Sequence, residues 1–193
     1  GVLTYTSEMF SGCINLVGLG EGFDLGGFDT SNVTNMSGMF YDCNSLTAGV
    51  FDDISTVSAQ DMSYMFYNCR ALTSDIFDKI QTDSAQDMSY MFYGCTGLNT
   101  EQKAITLRID DATNMSHMFD GCTNVSKIKM EGSGNANQLT NPNAISVFAN
   151  TNLTEITISD IIFNNLNPVN GFLVDSKSNL TKVVFEDVQA LAV

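Results

Sequence analysis

The 193-residue sequence has no tryptophan, one histidine, two prolines (Pro142 and Pro168) and only eight lysines and arginines. Each shortage excludes something. With 22 acidic residues against those eight, the formal net charge is −14, so a phosphate backbone or an anionic lipid surface would be repelled, and nucleic acid is not an expected partner. No apolar run approaches the ~20 residues of a membrane span, and no basic region followed by an apolar stretch opens the chain, so no membrane insertion is expected within it. Gly1 stands where an initiator Met would, as in a trimmed segment, which makes the lack of a leader uninformative. One histidine cannot furnish a paired nucleophile and base, so the chain is not expected to be an enzyme or to need a cofactor. A chain of this length suits one domain burying roughly 70% of its unfolded surface.

What is abundant is repetition. The stretch SAQDMSYMFY at 58–67 recurs letter for letter at 84–93. Self-similarity at a fixed period is the first sign of a repeat architecture. The unit is Met-Ser-x-Met-Phe-x-x-Cys-x-x-Leu, complete at Met36–Leu46, Met62–Leu72 and Met88–Leu98, with Val125 closing the copy that starts at Met115. Degenerate copies flank these: Met9, Phe10, Cys13 and Leu16 before, Phe148 and Leu153 after, and Leu180 last. Closing residues Leu16, Leu46, Leu72, Leu98, Val125, Leu153 and Leu180 are spaced by 30, 26, 26, 27, 28 and 27, a period that belongs to stacked solenoid repeats of about 20–29 residues.

Met62, Met65, Phe66 and Cys69 fall at i, i+3, i+4 and i+7, which predicts a short amphipathic helix. Asn35, Asp61, Asp87, Asn114 and Asn143 precede it as candidate N-caps. Gly12, Asp42, Asn68, Gly94, Gly121 and Asn150, two residues after each Phe, all tolerate the left-handed conformation that ends a helix, leaving under two turns. Such a helix is unstable alone and must be held by its neighbours. Alternation at Leu153-Ile156-Ile158, Leu180-Val183-Phe185 and Ile105-Leu107-Ile109 predicts short strands of a parallel sheet, whereas AGVFDDIS and SDIFDKIQ alternate poorly and read weakly as strands.

The stretch FDTSNVTNMSGMFYDCNSL, residues 28–46, resembles the repeat of the BspA-like leucine-rich repeat surface proteins, itself similar to the Treponema-type repeat. The resemblance covers residues 7–154 well and 155–193 loosely. It implies a curved solenoid displayed on a cell surface and an extracellular location, with adhesion to host proteins as the family's usual role; it carries over no catalytic or ligand residues. The chain departs from the family in its 30-residue first spacing and in the erosion after Val125. The expected fold is therefore an α/β repeat solenoid: a leucine-rich-repeat-like right-handed superhelix with one short parallel strand and one short helix per coil of 26–30 residues. It would form a single domain over 1–193, with clear repeats over 7–125 and degenerate ones over 126–193.

Candidate chemistry reduces to a few sets. Cys13, Cys43, Cys69, Cys95 and Cys122, with nine of the ten methionines, lie in the motif. They would suit Cu(I), but they share the apolar stripe with Phe and are expected to be core. The odd count argues against a disulfide framework, and helices packed 8–10 Å apart would keep equivalent cysteines beyond the ~7 Å that a disulfide allows, so free buried thiols are expected. Tyr41, Tyr64, Tyr67, Tyr90 and Tyr93 point away from the stripe, an outer aromatic row that either meets a partner or covers the grooves between coils. His117 takes the place of Tyr64 and Tyr90, a surface histidine rather than a metal ligand. Asp52, Asp53, Asp78, Asp83, Asp110 and Asp111 recur between repeats without a D-x-D-x-D-G loop, so a solvated acidic edge is expected rather than a Ca²⁺ site. Asn-x-Ser/Thr triplets begin at Asn32, Asn35, Asn114, Asn124, Asn152 and Asn179; in so Asn- and Thr-rich a chain most are expected to be accidental.

The expected function is a cell-surface binding module engaging a protein or glycan of a host or neighbouring cell, extracellular matrix included, over an extended face. The alternative is a passive spacer or self-associating surface-layer element. The apolar ending QALAV is no polar cap, so further sequence is expected beyond Val193.

Overall fold

The structure is a computed structural model, and it describes residues 3–18, 29–52, 54–101, 104–132, 138–140, 144–164 and 179–191. Its organising contact is made by the motif, and it is not a helix. The N–H groups of Met62, Tyr64, Phe66 and Asn68 donate to the carbonyls of Asp87, Ser89, Met91 and Tyr93 in the next repeat, at 2.8, 2.9, 2.9 and 2.7 Å. The intervening N–H groups of Met65, Tyr67 and Cys69 close turns on the carbonyls of Met62, Tyr64 and Phe66. Every second amide thus goes across to the neighbour and every other one folds the chain locally. The same ladder joins Met36–Asp42 to the repeat at Asp61–Tyr67, and Met88–Gly94 to the one at Asn114–Asp120.

The expected amphipathic helix is corrected here to a run of overlapping turns. A helix of under two turns leaves most of its amides without an i−4 partner. This backbone gives those amides to the next repeat instead. Two residues per unit take positive φ: Gly12, Asp42, Asn68, Gly94, Gly121 and Asn150, as the sequence suggested, and also Glu8, Gly38, Tyr64, Tyr90, His117 and Ser146. Tyr64 and Asn68 are each third in a turn closed by an i→i+3 bond, where a type II turn needs positive φ. A left-handed residue in mid-segment is incompatible with a right-handed helix.

The expected N-caps open turns rather than helices. Oδ1 of Asn35, Asp61, Asp87 and Asn114 accepts both the N–H and the Oγ–H of the serine two residues on, at 2.6–3.2 Å. This Asx turn explains the invariant Ser of the four Met-Ser pairs. Asn143 lies outside the described residues.

Strands follow where alternation predicts them. β1 (Ile105–Arg108), β2 (Lys127–Glu131), β4 (Glu155–Ser159) and β6 (Lys182–Glu186) form a parallel four-stranded sheet in the order β1-β2-β4-β6, while β3 (Gln138–Thr140), β5 (Ile162–Asn164) and β7 (Gln189–Leu191) form a second parallel sheet. The register aligns Ile105, Ile128, Ile156 and Val183 in one column and Leu107, Met130, Ile158 and Phe185 in another. In the earlier repeats the weakly alternating connections are 3-10 helices, Ala48–Asp52 and Ser74–Asp78, and parallel pairing shrinks to single bridges through Tyr5, Asn35, Asp61, Asp87 and Asn114. The result is a repeated parallel-strand fold with no α-helix among the described residues.

The core is a set of columns. Phe10, Phe40, Phe66, Phe92, Phe119 and Phe148 stack ring on ring at 5.3–6.1 Å, within 11° of parallel. Phe51 meets Phe40 and Phe66 edge-on from the first 3-10 helix. Met, Cys and Leu columns run beside them without exposed surface from Met36 to Leu98.

Candidate functional site: a face of stacked tyrosines

The third and sixth residues of each motif alternate with the buried ones and carry the outer rings. Third-position Tyr64, Tyr90 and His117 stack at 4.8 and 4.7 Å. Sixth-position Tyr41, Tyr67 and Tyr93 stack at 4.7 Å throughout. The two columns touch through Tyr64–Tyr67 and Tyr90–Tyr93 at 5.9 Å and Tyr41–Tyr64 at 6.5 Å, so all five predicted tyrosines and His117 form one continuous patch. The single expected row is thus two columns. All six rings are half-buried except Tyr64, which is 38% exposed. Partial burial, reinforced by neighbouring phenols, pushes the Tyr64 and Tyr67 hydroxyls above their ordinary range, so they remain neutral hydrogen-bonding groups.

The patch has two unlike ends. At one, His117 Nδ1 lies 3.0 Å from Asp120 Oδ2, while Asp120 Oδ1 accepts a bond from Asn150. His117 is therefore a stacked member of the column and not an isolated surface residue. At the other end both columns stop: Gly38 occupies the register position before Tyr64, and Ser11 the one before Tyr41. A cavity of about 360 Å³ lies there, with Glu8, Gly38, Tyr41 and Tyr64 in its lining.

Ring spacings of 4.7–4.8 Å match the separation of hydrogen-bonded strands, not of packed helices. That corrects the distance argument against disulfides, because adjacent repeats stand close enough for one. The thiols are free nonetheless. Cys43, Cys69, Cys95 and Cys122 are buried and each donates to a phenylalanine carbonyl of an earlier repeat at 2.9–3.1 Å, while Cys13 is exposed, contrary to expectation. Burial raises the Cys43 thiol from 9.0 to about 11 and lifts Cys69, Cys95 and Cys122 further.

The acidic edge is partly neutralised. Asp52 pairs with Lys79, and Arg108 lies 3.5 Å from Asp83 and 3.2 Å from Asp110. Asp78 and Asp111 also have interaction partners, and Asp53 lies outside the described residues. Among the described residues no three His, Cys, Asp or Glu side chains are grouped so as to hold a metal ion, and no helix is long and apolar enough to cross a membrane. Of the Asn-x-Ser/Thr asparagines, Asn35 and Asn114 serve the Asx turns, while exposed Asn124 and Asn152 donate to the carbonyls of Thr96 and Thr123.

Sequence reasoning missed the third-position left-handed residues and the Gly38 break. The signal was present in Gly38 itself, the one glycine at a position held elsewhere by Tyr64, Tyr90 and His117. Neither the curated proteins nor the solved structures contain a match to the chain. The family model described as "Mycoplasma protein of unknown function, DUF285" matches residues 4–131, about two thirds of the sequence, and the chain belongs to that family.

Proposed function

We propose that the chain is a non-catalytic, cell-surface binding module that engages a protein or glycan of a host or neighbouring cell through its tyrosine face. The observation that carries this reading is the patch itself: six stacked rings, partly exposed and pre-ordered by the backbone ladder. Tyrosine gives large contact area at low entropic cost and is enriched in interfaces. The reading extends to a leucine-rich-repeat-like solenoid coiled as a right-handed superhelix, supported by the repeat-to-repeat ladder and parallel sheets, and to an extracellular location, supported by the BspA-like motif at 28–46.

Surface plasmon resonance against a panel of matrix proteins, plasma proteins and glycans tests it. Replacing Tyr67 and Tyr93 by Ser is expected to weaken capture while the chain stays folded at the assay temperature, its melting temperature falling only by the stacking lost from two half-buried rings. A response no greater than that of an unrelated acidic protein refutes the proposal. A second reading, self-association, is favoured by Val183 and Phe185, which are 40% and 61% exposed on outermost strand β6 of the four-stranded sheet. Concentration-dependent oligomers lost in Phe185→Ser, with no capture from the panel, would support that reading instead.

A further inference from the structure

We infer that the notch where both tyrosine columns end is a receptor for a guanidinium group, presented by an arginine side chain of a partner polypeptide; this rests on the binding reading above. Tyr64 stacks on Tyr90 with one face, and Tyr41 stacks on Tyr67 with one face. Apart from the tilted contact of Tyr41 with Tyr64 at 6.5 Å, no ring stacks on their other faces, because the next register positions hold Gly38 and Ser11. The cavity of about 360 Å³ occupies that space.

Its polar lining is rich in acceptors, with the Ser11 hydroxyl able to act either way. The Glu8 carboxylate makes no hydrogen bond or ion pair with the described residues, and its Cγ would lie 3.2 Å from a Cβ placed on Gly38, so the acid leans over the vacant column position. Ser37 and Ser63, also in the lining, already donate their hydroxyl protons to Asn35 and Asp61, leaving their oxygens as acceptors. A site offering a carboxylate, acceptor oxygens and two open aromatic faces calls for a planar, cationic, donor-rich group. Guanidinium meets each demand: it stacks on tyrosine, carries five N–H donors and pairs with a carboxylate. A net charge of −14 favours basic partners for the molecule as a whole.

The test is isothermal titration and ring-proton NMR of the full chain with acetylated, amidated Gly-Arg-Gly, against its lysine and citrulline counterparts. Citrulline keeps the shape and removes the charge. Binding of the arginine peptide at least about fivefold tighter than the citrulline peptide is expected, with lysine between them. Glu8→Gln is expected to erase that difference. Gly38→Tyr, which extends the column at a φ of 60° where Tyr64 and Tyr90 already hold 57°, is expected to abolish binding. Equal affinity for the arginine and citrulline peptides, or arginine binding unaltered in Gly38→Tyr, overturns the inference. If Gly38→Tyr does not fold, Glu8→Gln decides, since Glu8 is exposed and no described residue pairs with its carboxylate. Retained capture from the panel that depends on Tyr67 and Tyr93, without arginine selectivity, would overturn the notch alone. Arginine selectivity without any capture would overturn the extended-face reading alone.

Discussion

Phe66→Ala would remove a ring from the middle of the phenylalanine column. Phe66 has no exposed surface; it lies 6.1 Å from Phe40 and 5.3 Å from Phe92, nearly parallel to both, and meets Phe51 edge-on at 5.2 Å. Truncating a buried Phe to Ala costs about 3–5 kcal/mol. Three aromatic pairs at roughly 0.5–1.5 kcal/mol each place this site at the upper end, near 5 kcal/mol. The backbone cannot close the void, because Phe66 N–H is bonded to the Met91 carbonyl and Phe40 N–H to the Met65 carbonyl, which fixes the spacing on both sides. The loss also falls on two interfaces between repeats, and those interfaces hold a repeat array together. Urea unfolding followed by circular dichroism measures it. Phe10→Ala is the internal control: Phe10 is only half-buried and stacks on Phe40 at 5.4 Å, so its loss should be less than half as large. A loss below about 1 kcal/mol at Phe66, or equal losses at the two sites, would refute the claim that the column is the core.

Two further outcomes follow from the columns. The buried thiols titrate higher folded than unfolded, so the folded state holds more protons at alkaline pH; their stabilising effect is full below about pH 9 and is lost as pH rises toward 11 for Cys43 and beyond for the deeper three. Urea midpoints should therefore fall above pH 9, less steeply in Cys69→Ala, and at neutral pH a thiol reagent should label Cys13 quickly and the other four only on unfolding. Asp61 and Asp87 are bridged neighbours whose outer oxygens accept from Asn35 and Asn114, leaving two like charges side by side; Asp87→Asn keeps the Asx turn through Oδ1 and removes the repulsion but loses the Oδ2 that accepts from Asn114, so its melting temperature relative to the parent chain should fall with added salt, which screens the repulsion and not the lost bond.

The period, the inward residues and the strands at Ile105 and Ile156 were legible because each is a pattern of burial, and burial is what hydrophobic spacing records; the strand at Val183 alternates in residue type but is exposed. The local conformation of the motif was not. Met62, Met65, Phe66, Cys69 and Leu72 are buried as a helix would bury them, but consecutive turns that alternate outward and inward amides give the same inward set. Spacing alone cannot separate the two. What separates them is Tyr64 at positive φ, and tyrosine carries no sequence sign of left-handed backbone as glycine and asparagine do. The same error fixed the repeat spacing at a helical distance and so produced a false ground for the free thiols. The tyrosine patch was legible as an outward set, but its division into two columns depends on the turn geometry that the sequence does not display.

In a stack whose repeats stand one strand-spacing apart, each side chain's main neighbours are its own equivalents above and below. A column gains by repeating its residue, as the tyrosines of the duplicated SAQDMSYMFY do at 4.7–4.8 Å. Repetition then reports mutual stacking, and a position carries separate information only where it breaks the column. Two breaks stand out on this face. His117 ends one column with Asp120 beside it, and Gly38 and Ser11 end both columns at the opposite side beside Glu8. The first keeps a ring at His117 but puts Asp120 in the register position after Tyr93, its carboxylate engaged by His117 and Asn150. The second removes two rings, opens their faces and leaves a carboxylate over the gap. If the face has a point of specificity it lies at this gap, and Gly38→Tyr, whose Cβ would press on Glu8 Cγ at 3.2 Å and turn that side chain aside, should close the site.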